Sequence, residues 1–449
     1  MFNEELIELQ RKKVFREPNY VRLSRPCSIQ DGIISLSTDQ KINFRKLFQN
    51  IQSEITFFIP ASGAGSRMFS LFYQFLENPE KTAEEIQDFI DSLEKYAFAK
   101  LVDFNYLKSL SDRNLIEHLL EELELDNLPK GLIPFHITQS GFLTAFEEHL
   151  AQGCKLNSEV KFHFTIQKEF EDQFKQIANQ TSEAFNINTS INYSEQDPVT
   201  NSIAFEFNGT PLLENDALVT RPSGHGALLQ SLNSIHSPIV LIKNIDNVQH
   251  IEKSSLSNEY WEILSGLLID LKNKLAELFS SPSNELFTSI NKEFELFDET
   301  IAPKTPEEIL QLINKPVRVC GMVKNEGQPG GGPFWIEKNG IISKQIVEKA
   351  QISNDQVQIN ILNNSTHFNP VMIALSPVSV QGEKFDLTNF VDEEAYFIVN
   401  KTQGEKEIKY LERPGLWNGS MADWITVFVE IPSEIFSPVK SVTDLLNDA

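Results

Sequence analysis

Short apolar runs rich in β-branched and aromatic residues alternate along this chain with longer stretches whose apolar positions recur at helical spacing. Residues 1–50 read as a helical lead with an extended link from Pro18 to Ser28. The run ITFFI at 55–59 predicts a strand that stops at the turn-forming cluster PASGAGSR, and a helical pattern runs on from Met68 to Leu76. Strand, glycine loop and helix make the first half of a βαβ unit. Residues 70–126 carry Glu, Leu and Lys at helical spacing, interrupted at Asn78-Pro79 and at Ser111-Asp112, where SDRN reads as a helix N-terminus. They predict an inserted cap of two to four helices, and the loop LPKGLIPFH comes after it.

From residue 160 the strand–helix rhythm returns. VKFHFTI predicts a strand, QKEFEDQFKQIANQ an amphipathic helix and INTSINYS a further strand that ends in the polar loop SEQDPVTN. TRPSGHGALL opens a short helix, and PIVLIKNI is a buried strand that ends at Asp246-Asn247. Residues 252–310 are again helical. A second mixed region opens with PVRVCGMV, passes through KNEGQPGGGPFW and contains QVQINIL, AYFIVNK and ADWITVFVEIP as expected strands, with SVTDLLNDA as a short C-terminal surface helix. The reading is an α/β fold, a Rossmann-like, mixed but mainly parallel sheet flanked by helices with helical insertions. Its segments are a lead (1–50), a first α/β half (51–250) holding the insertion 70–126, a helical insertion (251–310) and a second half (311–449).

Composition narrows the function classes. With 449 residues, 41% of them hydrophobic, the chain can bury a full core, and most of its 33 phenylalanines are expected there. A net charge of −24 argues against general binding to nucleic acid or an anionic membrane, both of which reward Lys and Arg. A single nucleotide needs only a local positive pocket, and a divalent cation would offset the negative field. The three cysteines, Cys27, Cys154 and Cys320, are widely spaced and form no readable disulfide or metal pattern. MFNEELIELQRKK lacks the apolar core of a signal peptide, and no apolar stretch is long enough to span a bilayer, so a cytoplasmic location is expected.

Five places carry candidate chemistry. In Gly63-Ala64-Gly65-Ser66-Arg67, glycines let the backbone approach a ligand, the next helix points free N–H groups at an anion, and Arg67 suits phosphate. The same loop would also serve as an ordinary βα turn. It is neither a Walker A loop, since no Gly-Lys-Ser/Thr comes after it, nor GxGxxG, since Met68 takes the third glycine position. Lys130 reads as a point charge on a phosphate or as a solvated loop lysine. Gly224-His225-Gly226 reads as a backbone that hugs a flat base or as a glycine-rich turn. Asp246, after a very apolar strand, lies where ligands bind in open α/β sheets and suits Mg²⁺, although Asp-Asn is also good turn chemistry. Gly321 to Glu326, with Gly330 to Gly332, offers groups for sugar hydroxyls or a mobile hairpin.

The order of these motifs resembles the UDP-sugar and UDP-N-acetylhexosamine pyrophosphorylases, a branch of the nucleotidyltransferases. PASGAGSRM resembles their signature loop, LPKG their Pro-Lys-Gly, SEQDP their uracil-side Gln loop, PSGHG their base-binding loop, NIDN their metal-binding Asp-Asn, and CGMVKNEG falls at their sugar side. The details also resemble a bacterial family known only as a domain of unknown function. The resemblance implies UTP and a sugar 1-phosphate as substrates and Mg²⁺ as cofactor, with 51–250 the nucleotide-binding half and 311–449 the sugar-binding half. It implies that Ala61, Gly63, Ala64, Gly65, Ser66 and Arg67 hold phosphates and that Lys130 contacts a reacting phosphate. Gln196, Gly224, His225 and Gly226 would read the base, Asp246 would hold metal, and Gly321, Asn325 and Glu326 would face the sugar; a second metal carboxylate is unassigned, with Asp423 in MADW a candidate that also reads as a turn residue. The chain departs from the pattern in three respects. Arg67 and Lys130 are far apart in sequence, Ala227 comes after the GHG, and the Glu-Tyr-Ser-like sugar segment has no match. A binding protein without turnover, or transfer to a non-sugar phosphate, is the alternative reading.

Overall fold

The computed structural model describes residues 4–157, 159–327, 330–403 and 406–447. The outermost residues of both termini and part of the glycine-rich KNEGQPGGG stretch lie outside them. The fold is mixed α/β, with mainly parallel sheet strands flanked by helices, as the apolar pattern predicts. The chain divides into two compact units, each assembled from separated segments. Among the described residues no helix is long and apolar enough to cross a membrane.

One unit comprises 54–195, 242–261 and 432–449. Its strands Ile55–Pro60, Lys161–Ile166 and Ile191–Glu195 run parallel, with Phe57 beside Phe162 and Phe164 beside Tyr193. Helices Ala145–Leu156 and Glu171–Phe185 bring Phe146 against Phe164 and Phe174, at centroid separations of 4.6 and 5.1 Å. The phenylalanines here are core, as expected. Thr144 starts the first helix with a capping box that Glu147 completes. The insertion is helical too, but more broken than its periodicity predicts. Helices Ser70–Glu77, Ala83–Asp91, Phe104–Ser109 and Asp112–Glu117 are separated by tighter turns and packed through Phe72, Phe89, Tyr96 and Phe98. Ser111 caps its helix on Asn114, as SDRN suggests.

The other unit comprises 1–53, 196–241 and 262–431. Its longest strand, Val317–Lys324, runs parallel to Ile425–Glu430 and antiparallel to Met372–Ser376. Strands Leu23–Pro26, Gly332–Lys338 and Ile341–Val347 form an antiparallel sheet. One expectation fails here, because QVQINIL is the helix Gln356–Asn363 and not a strand. Its alternation places apolar residues on one side of a notional strand, yet Val357 is 66% exposed. The residue turned inward is Gln358, whose amide accepts from the Leu23 N–H (2.7 Å) and donates to the Leu23 carbonyl (3.1 Å). Asp355 supplies the N-cap by accepting from the Gln358 N–H. A polar side chain that completes a sheet edge defeats a pattern based on hydrophobicity.

Candidate functional site

The strand Ile55–Pro60 leads into the glycine loop, whose course is fixed by backbone hydrogen bonds. The Ala61 N–H donates to the Thr165 carbonyl (2.8 Å), and the Gln167 amide donates to the Ser62 carbonyl (2.7 Å). The loop then pairs with the Pro-Lys-Gly segment. Gly65 N–H donates to Leu128 O (2.9 Å), Lys130 N–H donates to Gly63 O (3.0 Å), and Ala64 bridges Pro129. Two motifs far apart in sequence are thus neighbours in space, with the helical insertion looped out between them. A Cβ on Gly65 would lie 2.7 Å from Ile133 Cδ1 and 3.1 Å from Leu128 O, so this glycine permits the close pairing. A Cβ on Gly63 would meet nothing within 4 Å.

The helix begins at Ser70, two residues later than the pattern predicts, and residues 66–69 turn without a side-chain cap. Ser66 and Arg67 are exposed, and among the described residues the Arg67 guanidinium has no ion-pair partner.

Lys130 reaches Asp246. Its Nζ lies 2.7 Å from Asp246 Oδ2 and 3.3 Å from the Val439 carbonyl. The same carboxylate oxygen accepts from Lys440 Nζ at 2.9 Å. Lys440 is a site residue that the motifs do not reveal, because SPVKS carries no signal that could find it. It arrives because the C-terminal segment returns to both loops. Val439 N–H donates to the Asp246 carbonyl and Val442 N–H to the Met68 carbonyl. Burial alone pushes the Asp246 carboxyl up, but the charges and hydrogen bonds of Lys130 and Lys440 outweigh it and hold the group below the usual range, as a carboxylate. One carboxylate with two ammonium groups leaves a net positive charge beside a backbone loop ending in Arg67. In so acidic a chain this arrangement suits an oxyanion such as phosphate.

Behind Asp246, His149 Nε2 donates to the Ile245 carbonyl at 3.1 Å. Burial, aided by the charge of Lys243, lowers its pKa to about 3, so the ring is neutral. Glu148 accepts from His136, Gln152 and the Ile251 N–H, which ties the same helix to the far end of the Asp246 loop. An unfolded chain protonates His149 near 6.5. Its contribution to stability is therefore fully present above that pH and is lost as pH falls from 6.5 toward 3, at up to about 1.4 kcal/mol per pH unit. Urea unfolding across this range is expected to show a shallower pH dependence in His149→Gln than in the parent chain. Equal slopes would contradict a buried neutral His149.

The remaining candidates lie in the unit containing 196–241 and 262–431. The Gln196 amide donates to Asn201 Oδ1 (3.0 Å), and its loop is joined to the GHG loop through Ser223 Oγ, which donates to Thr200 O (2.5 Å). His225 stacks on Trp417 at 4.0 Å, accepts from the Leu416 N–H at Nδ1 (2.8 Å), and directs Nε2 toward Glu348 (3.4 Å). The donor at Nδ1 makes Nε2 the protonated nitrogen. Gly224 has a φ of +76°, and a Cβ on Gly226 would stand 2.0 Å from the Pro414 carbonyl. A Cβ on Gly321 would stand 2.3 Å from Ile431. Asn325 Oδ1 accepts from the Gly327 N–H, and Glu326 is exposed. Asp423 is ion-paired with Lys315 at 2.5 Å. Among the described residues no group of three or more His, Cys, Asp or Glu is arranged to hold a metal ion. The structure joins the glycine loop to the Lys130 segment and Lys130 to Asp246, and links the Gln196 loop to the GHG loop.

The chain belongs to the family described as Domain of unknown function (DUF4301), whose model matches residues 1–449. No curated protein matches the sequence. Among solved structures it is similar to UDP-glucose phosphorylase from Trypanosoma brucei, with 12% identity, a TM-score of 0.43 and coverage of 95% of this chain and 69% of that one. It is similar to the inositol-1-phosphate CTP transferase from T. maritima, with 8% identity, a TM-score of 0.35 and coverage of 88% and 96%. HddC from Yersinia pseudotuberculosis shares 10% identity at a TM-score of 0.33, with coverage of 88% and 97%.

Proposed function

For this member of the DUF4301 family we propose nucleotidyl transfer from a nucleoside triphosphate, UTP by preference, to a sugar 1-phosphate. The observation that carries the reading is that the glycine loop is bonded to the Lys130 segment while Lys130 and Lys440 both reach Asp246. A phosphate oxygen of the acceptor attacks the α-phosphorus, a new P–O bond forms, the α–β bridge breaks, and pyrophosphate leaves. The acceptor is already an anion, so no general base is needed. The work is positioning and charge neutralisation. Backbone N–H groups of the loop and Arg67 hold the triphosphate, while Lys130 and Lys440 face the charge that develops on the transferred and leaving groups. The preference for UTP rests on the motif resemblance around Gln196 and His225.

The donor set fits Mg²⁺ in one way. Asp246 commits Oδ2 to two ammonium groups and would offer Oδ1, with phosphate oxygens and water completing the shell. When bound, the ion would add Lewis-acid neutralisation of the phosphates. Asp246 has a second task, which is to hold both lysines in place. Asp246→Asn weakens both tasks, and the Mg²⁺ dependence reads the metal-holding one. Labelled pyrophosphate should exchange into UTP in the presence of Mg²⁺, with a sugar 1-phosphate panel identifying the acceptor. Asp246→Asn should lower the rate on the order of 10²-fold and raise the Mg²⁺ concentration needed for half-maximal exchange. A variant that exchanges as fast as the parent at the same Mg²⁺ would remove the reading. Nucleotide binding without exchange across sugar and non-sugar phosphates would replace it with a binding role.

A further inference from the structure

The two lysines on Asp246 are held in different ways. Lys130 is fixed along its length. Its N–H is bonded to the Gly63 carbonyl, its Nζ reaches both Asp246 Oδ2 and the Val439 carbonyl, and its side chain is 14% exposed. Lys440 is fixed only at its backbone. Its N–H donates to Asp444 Oδ2 (2.9 Å), the Val439 N–H to the Asp246 carbonyl (2.8 Å) and the Ser441 N–H to Asp444 Oδ2 (2.7 Å). Its side chain is 57% exposed, and among the described residues its ammonium group bonds to Asp246 alone, at 2.9 Å. A half-exposed lysine gives up such a pair at little cost, because water replaces the partner.

Asp246 Oδ2 serves both lysines, whereas Oδ1 has no hydrogen-bond partner among the described residues and stays open to solvent. A divalent cation that takes this carboxylate meets two ammonium groups on the same side chain, and like charges at that range repel strongly in a partly buried site. We propose that Lys440 stands in for the cation at Asp246 and is released from the carboxylate when a divalent cation binds, while Lys130 stays. The proposal rests on Asp246 as the cation's ligand and goes beyond it by giving the site an order of loading. With one carboxylate and two ammonium groups, the cluster disfavours a bare dication. It admits one that arrives on a triphosphate, whose negative charge also gives Lys440 a new partner.

Binding of Mn²⁺ alone to the full chain, followed by the electron paramagnetic resonance signal of the free ion, tests this without turnover. The parent should bind weakly. Lys440→Met should bind Mn²⁺ about tenfold more tightly, the effect of removing one partly screened like charge. Lys440→Arg keeps the charge and should bind as the parent does. The gain should vanish when Lys440→Met is combined with Asp246→Asn. In the parent, acetic anhydride should label Lys440 faster at saturating Mn²⁺ and Lys130 at an unchanged rate, read by mass spectrometry of the digested chain. Equal or weaker Mn²⁺ affinity in Lys440→Met, a gain that survives Asp246→Asn, or Lys440 labelling indifferent to Mn²⁺ overturns the proposal. Pyrophosphate exchange on the same proteins reads the transfer chemistry separately. A parent that fails to exchange while Lys440→Met still gains Mn²⁺ affinity would sink the nucleotidyl-transfer reading and leave the role of Lys440 standing.

Discussion

Replacing Lys130 with Met is expected to lower pyrophosphate exchange on the order of 10²–10³-fold, the size of effect seen when one preorganised donor to a developing charge is removed. Lys130 is placed twice. Its N–H is tied to the Gly63 carbonyl and its Nζ to Asp246, and its side chain is only 14% exposed. Such a charge acts at low dielectric and needs no reorganisation. Lys440 holds the same oxygen but is 57% exposed, so Lys440→Met should cost less, about tenfold. Lys130→Met also leaves the buried Asp246 carboxylate with only the half-exposed Lys440 as partner, and a buried charge that loses its better partner destabilises. The double variant with Asp246→Asn separates the two effects. Stability should recover, because the under-compensated charge is gone, while exchange should fall below that of Asp246→Asn alone. Urea unfolding and exchange on the same four proteins measure both. A double variant that exchanges as fast as Asp246→Asn alone would mean that Lys130 serves only to neutralise Asp246.

Gly226→Ala is expected to destabilise its unit by about 2 kcal/mol or more, with a change in tryptophan fluorescence from Trp417. The glycine lies in a tight helical turn, His225–Leu228, in a conformation open to any residue, so the cost is steric. The new methyl would lie 2.0 Å from the Pro414 carbonyl oxygen and 2.9 Å from its carbon, and backbone cannot yield as a side chain can. Overpacking of this kind costs roughly 1–3 kcal/mol, sometimes more. His225, stacked on Trp417 and bonded to the Leu416 N–H, would move with it. Gly63→Ala is the matching control. With nothing within 4 Å of its Cβ, stability should hold, and exchange should fall only if a phosphate packs against that backbone. A Gly226→Ala chain as stable as its parent would show that the glycine is kept for something other than the contact with Pro414.

These two glycines show how far the motifs were legible. The GAGSR and GHG loops announce glycine, but only neighbours tell whether the missing Cβ makes room for protein or for ligand. At Gly65 and Gly226 the protein fills the space. The pairing of Gly63 with Lys130 was open to inference from motif order alone. Lys440 was not, since a lone lysine in SPVKS has no local signal, and its role comes from a chain end that returns to the Asp246 loop.

What the sequence by itself determined is what local periodicity and turn chemistry encode. This includes the buried strand before the glycine loop, the helical insertion with its Ser111 cap, the α/β rhythm and a phenylalanine-rich core. Tertiary structure alone decided which charges share a carboxylate, that Gln358 turns inward to complete a sheet edge and makes QVQINIL a helix, and that His225 is held by Trp417, Leu416 and Glu348. The physical reason is range. Hydrophobic period and capping act over a few residues, whereas ion pairs, edge hydrogen bonds and backbone contacts join residues hundreds of positions apart and leave no periodic trace in the chain.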